Sequence, residues 1–265
     1  MSILTSYEVS INHLDDFANH MDYDFALAHL VTKNEKYRDY FKKQCEKRLV
    51  ILDNSFFELG HPIPSDELAE ICKMINAQEI VAPDYLNVER TVNAAYEMQK
   101  SLNKAGLKKT KILAVVQGRS LEEWTSCHNQ LIRLPFVSKL CICFNPLFKL
   151  GVPKECMLSP TKSWMWTRIN FMKHLNANGL MNHNKTYHLL GLADGRELFY
   201  QKAIPKIVTN DSSSPYVHGK NSIRYTEDGL PCEKIKEKVD FDEVVDISKF
   251  EDIVYNMELL RTWSR

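Results

Sequence analysis

Four short apolar runs in this sequence each end on polar residues that are suited to chemistry. They are residues 49–52 before Asp53, 80–83 before Asp84, 112–116 before Gln117, and 207–209 before Asn210 and Asp211. Strands that are buried on both faces have such unbroken apolar sequences, and a parallel barrel carries its catalytic groups where the strands end. The runs therefore predict a parallel α/β barrel with three carboxylates and one amide at its mouth.

Short apolar runs alternate with longer amphipathic stretches along the chain, which predicts repeated strand and helix units. Predicted strands lie near residues 24–30, 48–53, 79–83, 111–117, 139–144, 186–192 and 206–210, with an eighth near 239–247. Predicted helices lie near residues 34–46, 65–76, 88–105, 121–134, 161–176, 195–203 and 248–263. The expected fold is a compact (β/α)8 TIM-like barrel, and one domain of residues 1–265 is the simplest organisation for this length.

Charge and cysteine content restrict the class of protein. The 34 basic and 34 acidic residues cancel, whereas a nucleic-acid binder is usually basic on at least one face. Two basic segments remain: a predicted helix face at 33–47, and a predicted loop at 218–224 in which Lys220 and Arg224 could contact phosphate. The seven cysteines have no paired spacing and favour reduced thiols. The sequence has neither a leader peptide nor an apolar run of about 18 residues, so we expect a cytoplasmic protein without membrane contact.

Each of the three carboxylates has a chemical and a structural interpretation. Asp53 could act as a general acid or base, or form the turn after its strand. Asp84 could accept hydrogen bonds from a ring N–H and an amino group of a planar base, or cap the helix predicted from Val88. Asp211 could attack an anomeric carbon and form a glycosyl-enzyme ester, or form an Asx turn among the serines that follow it.

Neutral groups complete the set of candidates. The amide of Gln117 could donate to a carbonyl while Gly118 leaves room for a ligand, although a glutamine at a strand end can also satisfy backbone groups. Gly191, Leu192 and Ala193 could let a flat ligand lie against the backbone, and their glycine spacing is not a dinucleotide-binding fingerprint.

The remaining histidines and cysteines predict no metal site. Cys141 and Cys143 share one face of a predicted strand and are interpreted as small buried residues. His183 and His188 lack partners at a zinc-binding spacing. His29, at the predicted end of the first strand, could face the mouth or serve the structure.

Taken in order, these segments resemble motifs of the tRNA-guanine transglycosylase superfamily, which includes phage and bacterial relatives that insert 7-deazaguanines into DNA. The resemblance spans roughly residues 50–230. Order matters here, because agreement at several sites in sequence is more specific than any one motif. The matching segments are Asp53-Asn54-Ser55, Asp84, Val116-Gln117-Gly118, Gly191-Leu192-Ala193-Asp194-Gly195, Asp211, His218-Gly219 and Tyr225-Thr226-Glu227-Asp228-Gly229.

The sequence departs from the family pattern at three places. After Gly229 the only cysteine is Cys232, so the family's zinc subdomain has no counterpart. Its Pro-Thr-Arg segment is replaced by serines at 212–214 and a proline, and the glycines of its Ser-Gly-Gly-Phe segment by residues 54–57. A compact barrel without the zinc subdomain is similar to the DNA-directed branch. We therefore expect no zinc and no other cofactor, with DNA as the first candidate partner and tRNA as the second.

The resemblance implies base exchange with retention through a covalent intermediate, in which guanine leaves and a 7-deazaguanine base enters. It implies that Asp211 is the nucleophile and that Asp53 is the general acid or base. A base inside a duplex cannot reach the mouth of a barrel, so the target nucleotide should be flipped out or single-stranded. The implied base-binding residues are Asp84, Gln117, Gly118, Gly191, Leu192 and Ala193, and the implied phosphate or nucleic-acid contacts are Ser212, His218, Lys220 and Arg224.

Two other functions stay open from the sequence. One is an N-glycosidase that releases a base from a nucleoside or nucleotide by hydrolysis, which the balanced charge favours. The other is a non-catalytic barrel that binds nucleic acid or a protein partner through the same mouth. The oligomeric state, the identity of the incoming base and the sequence context of the target are also open.

Overall fold

Eight strands within residues 2–265 form one parallel sheet, and at least one helix follows each strand, as in a (β/α)8 TIM-like barrel. The structure is a computed structural model that describes residues 2–265. The order of strands in the sheet is β1-β8-β7-β6-β5-β4-β3-β2. The strands are β1 Leu4–Tyr7, β2 Asp24–Leu27, β3 Val50–Asp53, β4 Glu79–Val81, β5 Lys111–Val116, β6 Val137–Cys143, β7 Thr186–Leu190 and β8 Ile207–Ser212.

Eleven α-helices and four short 3-10 helices occupy the segments between and after the strands in residues 2–265. The α-helices are α1 Leu14–Phe17, α2 Ala28–Lys33, α3 Glu35–Gln44, α4 Phe56–Leu59, α5 Ser65–Ile75, α6 Val88–Lys104, α7 Leu121–Leu131, α8 Pro160–Ala177, α9 Glu197–Gln201, α10 Ser214–Lys220 and α11 Phe250–Ser264. The 3-10 helices are Ile11–His13, Ala18–His20, Lys154–Cys156 and Ile247–Lys249.

The chain divides into two compact units. One unit consists of residues 2–22, 142–182 and 187–265, and the other of residues 23–141 and 183–186. The first unit contains β1, β7 and β8 with helices α1 and α8 to α11, and the second contains β2 to β5 with helices α2 to α7. The expectation of a single domain stays a prediction.

The position predicted for the eighth strand is wrong. Residues 239–247 contain no strand, and Val244 is 78% exposed. The eighth strand is β1, whose residues Leu4 to Tyr7 pair in regular parallel register with Thr209 to Ser212 of β8. Its apolar run is interrupted by the buried Thr5 and Ser6, so this strand lacks the unbroken Val, Ile and Leu sequence that identifies the others.

Two local predictions also need correction. The strand predicted to reach residue 30 ends at Leu27, and His29 lies in α2, where its backbone N–H donates to Ser55 Oγ at 3.2 Å. Residues 218–220 belong to α10 rather than to a loop. Pro215 stands in the first turn of that helix, where the missing N–H of proline costs nothing and its fixed φ favours the helix.

A fully buried ion pair ties helix α8 to helix α9. Arg168 and Glu197 are both 0% exposed, and the two guanidinium contacts to the carboxylate measure 2.6 and 2.9 Å. Arg168 also donates to the carbonyl oxygens of Ile142, Leu190 and Gly191. These acceptors lie in the last two residues of β6 and β7 or directly after β7, so one side chain links the ends of two strands to two helices.

We predict that Glu197→Gln lowers the free energy of unfolding by about 3–5 kcal/mol, because it leaves the buried guanidinium without a counter-charge. Chemical denaturation of the variant and the wild type measures the difference. Glu97→Gln is the control, since Glu97 pairs with Lys100 at 59% and 70% side-chain exposure and its loss should cost less than about 1 kcal/mol. Equal effects of the two substitutions would contradict the role given to the buried pair.

Candidate active site

The carboxylate of Asp211 accepts hydrogen bonds at one of its two oxygens. Its Oδ1 accepts from Nε2 of His188 at 2.8 Å and from the backbone N–H of Gly191 at 3.1 Å. Its Oδ2 has no hydrogen-bond partner among residues 2–265. Asp211 is only 3% exposed, so the arrangement fixes the carboxylate and leaves one oxygen for a ligand.

The ring of His188 is engaged at both nitrogens. Nδ1 lies 3.0 Å from Oγ1 of Thr209, while Nε2 faces the carboxylate oxygen of Asp211. Because an ionised carboxylate only accepts, the hydrogen belongs on Nε2, and a neutral ring then accepts at Nδ1 from the threonine hydroxyl. His188 therefore acts as a donor that orients Asp211.

A slip in strand register brings these side chains onto one face. Tyr187 pairs with Ile207, but the next residue, His188, pairs with Thr209, so β8 has one additional residue, Val208, at this point. A β-bulge re-aims the side chains beyond it. Here it places His188 beside Thr209 and, two residues further along β8, Asp211.

Position 191 requires a glycine because of its backbone conformation and because of the neighbouring Phe144 ring. Its φ is +63°, and a Cβ on it would lie 2.6 Å from Cδ1 of Phe144. Arg168 fixes the adjoining peptides by donating to the carbonyl oxygens of Leu190 at 3.1 Å and Gly191 at 2.7 Å. The N–H that holds Asp211 is thus part of a constrained turn.

The predicted residues Leu192 and Ala193 are buried, with Ala193 packed against Met165 and Ile169 of α8. The carbonyl oxygen of Leu192 accepts a hydrogen bond from Nζ of Lys234. Their side chains therefore belong to the core, and contact of their backbone with a base stays a prediction.

Ser6 is a further polar group on the face of Asp211 that the sequence did not indicate. The two residues are directly paired between β1 and β8, and neighbouring residues in a parallel ladder point to the same side of the sheet. The hydroxyl of Ser6 is buried and has no hydrogen-bond partner in the described chain. A buried polar group of this kind usually has a partner, so a ligand or water atom is expected there.

In the second unit, Asp84 is held by two amide side chains. Its Oδ1 accepts from Nδ2 of Asn54 at 2.8 Å, and its Oδ2 accepts from Nε2 of Gln117 at 2.6 Å. Burial raises the pKa of Asp84, while these two hydrogen bonds act in the opposite direction. The three residues follow β3, β4 and β5, so the predicted pair of Asp84 and Gln117 is brought together and Asn54 joins it.

Asp53 forms the turn that its structural interpretation predicts. Its Oδ2 accepts from the backbone N–H of Ser55 at 2.6 Å, and Ser55 has the left-handed φ of 58°. The role of Asp53 as a general acid or base stays a prediction.

The space beside Gly118 is filled by helix α7. A Cβ at this position would lie 2.6 Å from Cβ of Glu123, and the carbonyl oxygen of Gly118 accepts from the indole N–H of Trp124 at 3.2 Å. Helix packing accounts for the glycine, and its contact with a ligand stays a prediction.

The residues predicted to contact phosphate are engaged with the protein. Ser212 and His218 are buried, and the ring of His218 contacts the carbonyl oxygen of Ser214 at 2.8 Å. Lys220 forms ion pairs with two glutamates, and Arg224 with one glutamate and one aspartate. These partners leave the predicted phosphate contacts untested.

Two residues that shape the site are not among the residues predicted to form it. No pattern in the sequence indicates the contact of His188 with Asp211, because that contact depends on the bulge. Arg168 did leave a signal, because it stands in the apolar stripe of α8 between Met165 and Met172. A charge at that spacing predicts a buried partner.

The sequence matches no model of a known protein family, and it matches no curated protein. Its resemblance to the transglycosylases therefore depends on the motifs alone. Within residues 2–265, no three His, Cys, Asp or Glu side chains are grouped so as to hold a metal ion. None of the described helices combines the length and the apolar character needed to span a membrane.

We predict that Asp84 titrates above the ordinary aspartate value of about 3.9 and that Gln117→Ala raises its pKa further, because the substitution removes a donor to the ionised form. A folded pKa above the unfolded value means that this group's contribution to stability is present at low pH and is lost as the pH rises through the folded pKa. Carboxyl ¹³C chemical shifts, assigned with Asp84→Asn, measure the titration. Gln99→Ala on α6 is the control, and a fall in the pKa of Asp84 after loss of Gln117 would contradict the arrangement.

Proposed function

We propose that this protein is a nucleic-acid guanine transglycosylase that exchanges guanine in DNA, with tRNA as the alternative polymer, for a 7-deazaguanine base. The observation that carries the proposal is the carboxylate of Asp211, with one oxygen held by His188 and Gly191 and the other without a hydrogen-bond partner in the part of the chain that the structure describes. A fixed carboxylate with one available oxygen is suited to nucleophilic attack on an anomeric carbon.

The reaction has two displacements at the same carbon. Oδ2 of Asp211 attacks C1′ of the target nucleotide, and guanine leaves with the electron pair of the C1′–N9 bond and gains a proton. The incoming base then loses its N9 proton and attacks C1′, which breaks the ester and restores the carboxylate. Two inversions give net retention, and we assign the proton transfers to Asp53.

Recognition of the base is assigned to Asp84 and Gln117. The amides of Asn54 and Gln117 occupy one lone pair on each carboxylate oxygen of Asp84, and each oxygen has another. Those remaining positions suit the adjacent N–H groups on the edge of guanine and of a 7-deazaguanine alike. The same group could therefore hold the leaving base and the entering base in turn.

Two further points support exchange over the open alternatives. The ordered motif resemblance includes Asp53, Asp84, Gln117 and Asp211 together. Both ring nitrogens of His188 are engaged by Thr209 and Asp211, which orients the carboxylate for attack, and a non-catalytic barrel does not require that arrangement. An assay that counts released and incorporated base separates exchange from hydrolysis.

We predict that the wild type incorporates labelled guanine or a labelled 7-deazaguanine base into single-stranded DNA or into tRNA, and that Asp211→Asn lowers the rate by a factor on the order of 10³ or more because it removes the nucleophile. Incorporation is measured in both polymers in parallel with release of labelled guanine. Asp39→Asn, an exposed aspartate on α3, is the control and should keep full activity. Folded protein that incorporates nothing would contradict the proposal, and release without incorporation would identify a hydrolase.

We also predict that substrate without an incoming base forms a covalent complex at Asp211, and that His188→Leu slows its formation by about 10²-fold because the carboxylate loses its orientation. Intact-protein mass spectrometry follows the complex with time. His188→Gln provides the matched comparison, because its amide can still donate towards Asp211 and should restore part of the rate. Equal rates for the leucine and glutamine variants would show that the hydrogen bond does not orient the nucleophile.

A further inference from the structure

Lys234 is a half-buried residue whose ammonium group lies close to the turn that holds Asp211. Its Nζ donates to the carbonyl oxygen of Leu192, the residue after Gly191, and lies 4.1 Å from the centre of the Phe144 ring. Phe144 is the side chain that packs against Gly191. The ammonium group therefore borders the same turn whose N–H contacts Asp211.

The backbone of Lys234 is fixed on both sides. Its N–H donates to Oγ1 of Thr161 at 2.8 Å, and the neighbouring Glu233 accepts from the N–H and the hydroxyl of Thr161 at 3.0 and 2.7 Å. On the other side, the N–H of Ile235 donates to Nε2 of His218 at 3.3 Å. The side chain thus projects from an anchored segment.

A second anchor lies just upstream. The buried Asp194 accepts from the backbone N–H of Leu230 at 3.1 Å and from Nζ of Lys162 at 2.5 Å. Gly229 has a φ of +107°, and a Cβ there would lie 2.4 Å from Oδ1 of Asp194. The chain can approach this carboxylate closely only because residue 229 is a glycine.

Lys234 differs from four other cations of its unit in having no carboxylate partner among the described residues. Lys162, Arg168, Lys220 and Arg224 each form an ion pair with a carboxylate. Lys234 forms none among residues 2–265, and its other two N–H donors have no hydrogen-bond acceptor there. A partly buried charge without a counter-ion is costly, which points to an anion that the ligand supplies.

The electrostatic surroundings are consistent with that need. Burial lowers the pKa of Lys234 to about 8, and Arg168 contributes in the same direction. An anionic ligand would offset this cost by favouring the charged form. The carboxylates that act on Lys234 in the opposite direction are those of Glu8, Asp211 and Glu197.

We propose that Lys234 binds a backbone phosphate of the substrate strand next to the target nucleotide, an inference that rests on the proposed function. A nucleotide that presents C1′ to Asp211 necessarily brings its own phosphodiester anions near the adjoining turn. Lysine binds phosphate as a point charge, and its contact with the Leu192 carbonyl and the Phe144 ring holds it in place for that purpose.

The first experiment measures binding of a single-stranded deoxyoligonucleotide as a function of salt, by fluorescence anisotropy in an Asp211→Asn background that prevents turnover. Lys234→Met should reduce the slope of log K against log salt by about 0.7, the contribution of one phosphate on a single strand. Lys234→Arg should retain the slope. Lys236→Met, an exposed lysine two residues away, is the control and should match the parent protein. The same measurement on single-stranded RNA shows whether the phosphate that Lys234 contacts belongs to DNA or to RNA.

The second experiment does not depend on exchange activity. Calorimetry compares guanosine with guanosine 5′-monophosphate and guanosine 3′-monophosphate on the wild-type protein. We expect at least one nucleotide to bind about tenfold more tightly than the nucleoside, and Lys234→Met, but not Lys236→Met, to remove that advantage. If the nucleotide binds more tightly than the nucleoside only when Lys234 is present, but the protein has no exchange activity, the anion site at Lys234 is supported and the proposed function is rejected.

The proposal is overturned if the Lys234 and Lys236 variants behave alike in both experiments, or if neither the strand nor any nucleotide shows a phosphate contribution. Circular dichroism and thermal unfolding of each variant confirm that the compared proteins are folded. If Lys234→Arg loses the same salt slope and phosphate-dependent affinity as Lys234→Met, the role of Lys234 is packing and the charge contact is rejected.

Discussion

The position of the Asp211 carboxylate depends on the hydrogen bonds that the guanidinium of Arg168 donates. Arg168 is completely buried, and besides pairing with Glu197 it donates to the carbonyl oxygens of Ile142, Leu190 and Gly191. These bonds orient the peptides around Gly191, whose N–H in turn holds Oδ1 of Asp211. The fork of donors in arginine suits such a set of fixed acceptors better than the single ammonium of lysine. A helix residue thus determines which carboxylate oxygen is available to a ligand.

Apart from Asp53, whose Oδ2 accepts from the backbone N–H of Ser55, the buried carboxylates of the described chain fall into two kinds according to their partners. Asp24, Glu79, Asp194 and Glu197 are each paired with lysine or arginine. Asp84 and Asp211 instead accept from amides, a histidine ring and a backbone N–H, and neither forms an ion pair with lysine or arginine in the described chain. A carboxylate neutralised by a strong cation is a poor nucleophile and a weak acceptor. Asp84 and Asp211 are therefore suited to bind or attack a ligand.

Most of the barrel could be predicted because its strands are continuous apolar runs, and Asp84, Gln117 and Asp211 follow from their positions at the ends of those runs. Strand β1 is not predicted from the sequence, because Thr5 and Ser6 interrupt its apolar pattern. Val244 and Val245 predict a strand that the structure does not contain, and neither residue is buried. The contacts of His188 and Lys234 could not be predicted, since both depend on tertiary geometry. One requires a slip in the pairing of two strands, and the other requires a segment anchored by Thr161, Asp194 and His218.

The slip at Val208 divides β8 into two segments that differ in register by one residue. Ile207 lies in the first segment and Thr209 to Ser212 lie in the second, and β1 pairs only with the second segment. Strand β8 is therefore held by β7 on one side and β1 on the other, and a change of one residue in its length before Asp211 would turn that side chain to the opposite face of the sheet. Substitutions at the ends of these strands change the chemical groups and leave the scaffold intact, whereas an insertion or deletion within β8 would remove Asp211 from the site. The pairing register of β7 and β8, more than any motif within either strand, therefore determines where Asp211 points.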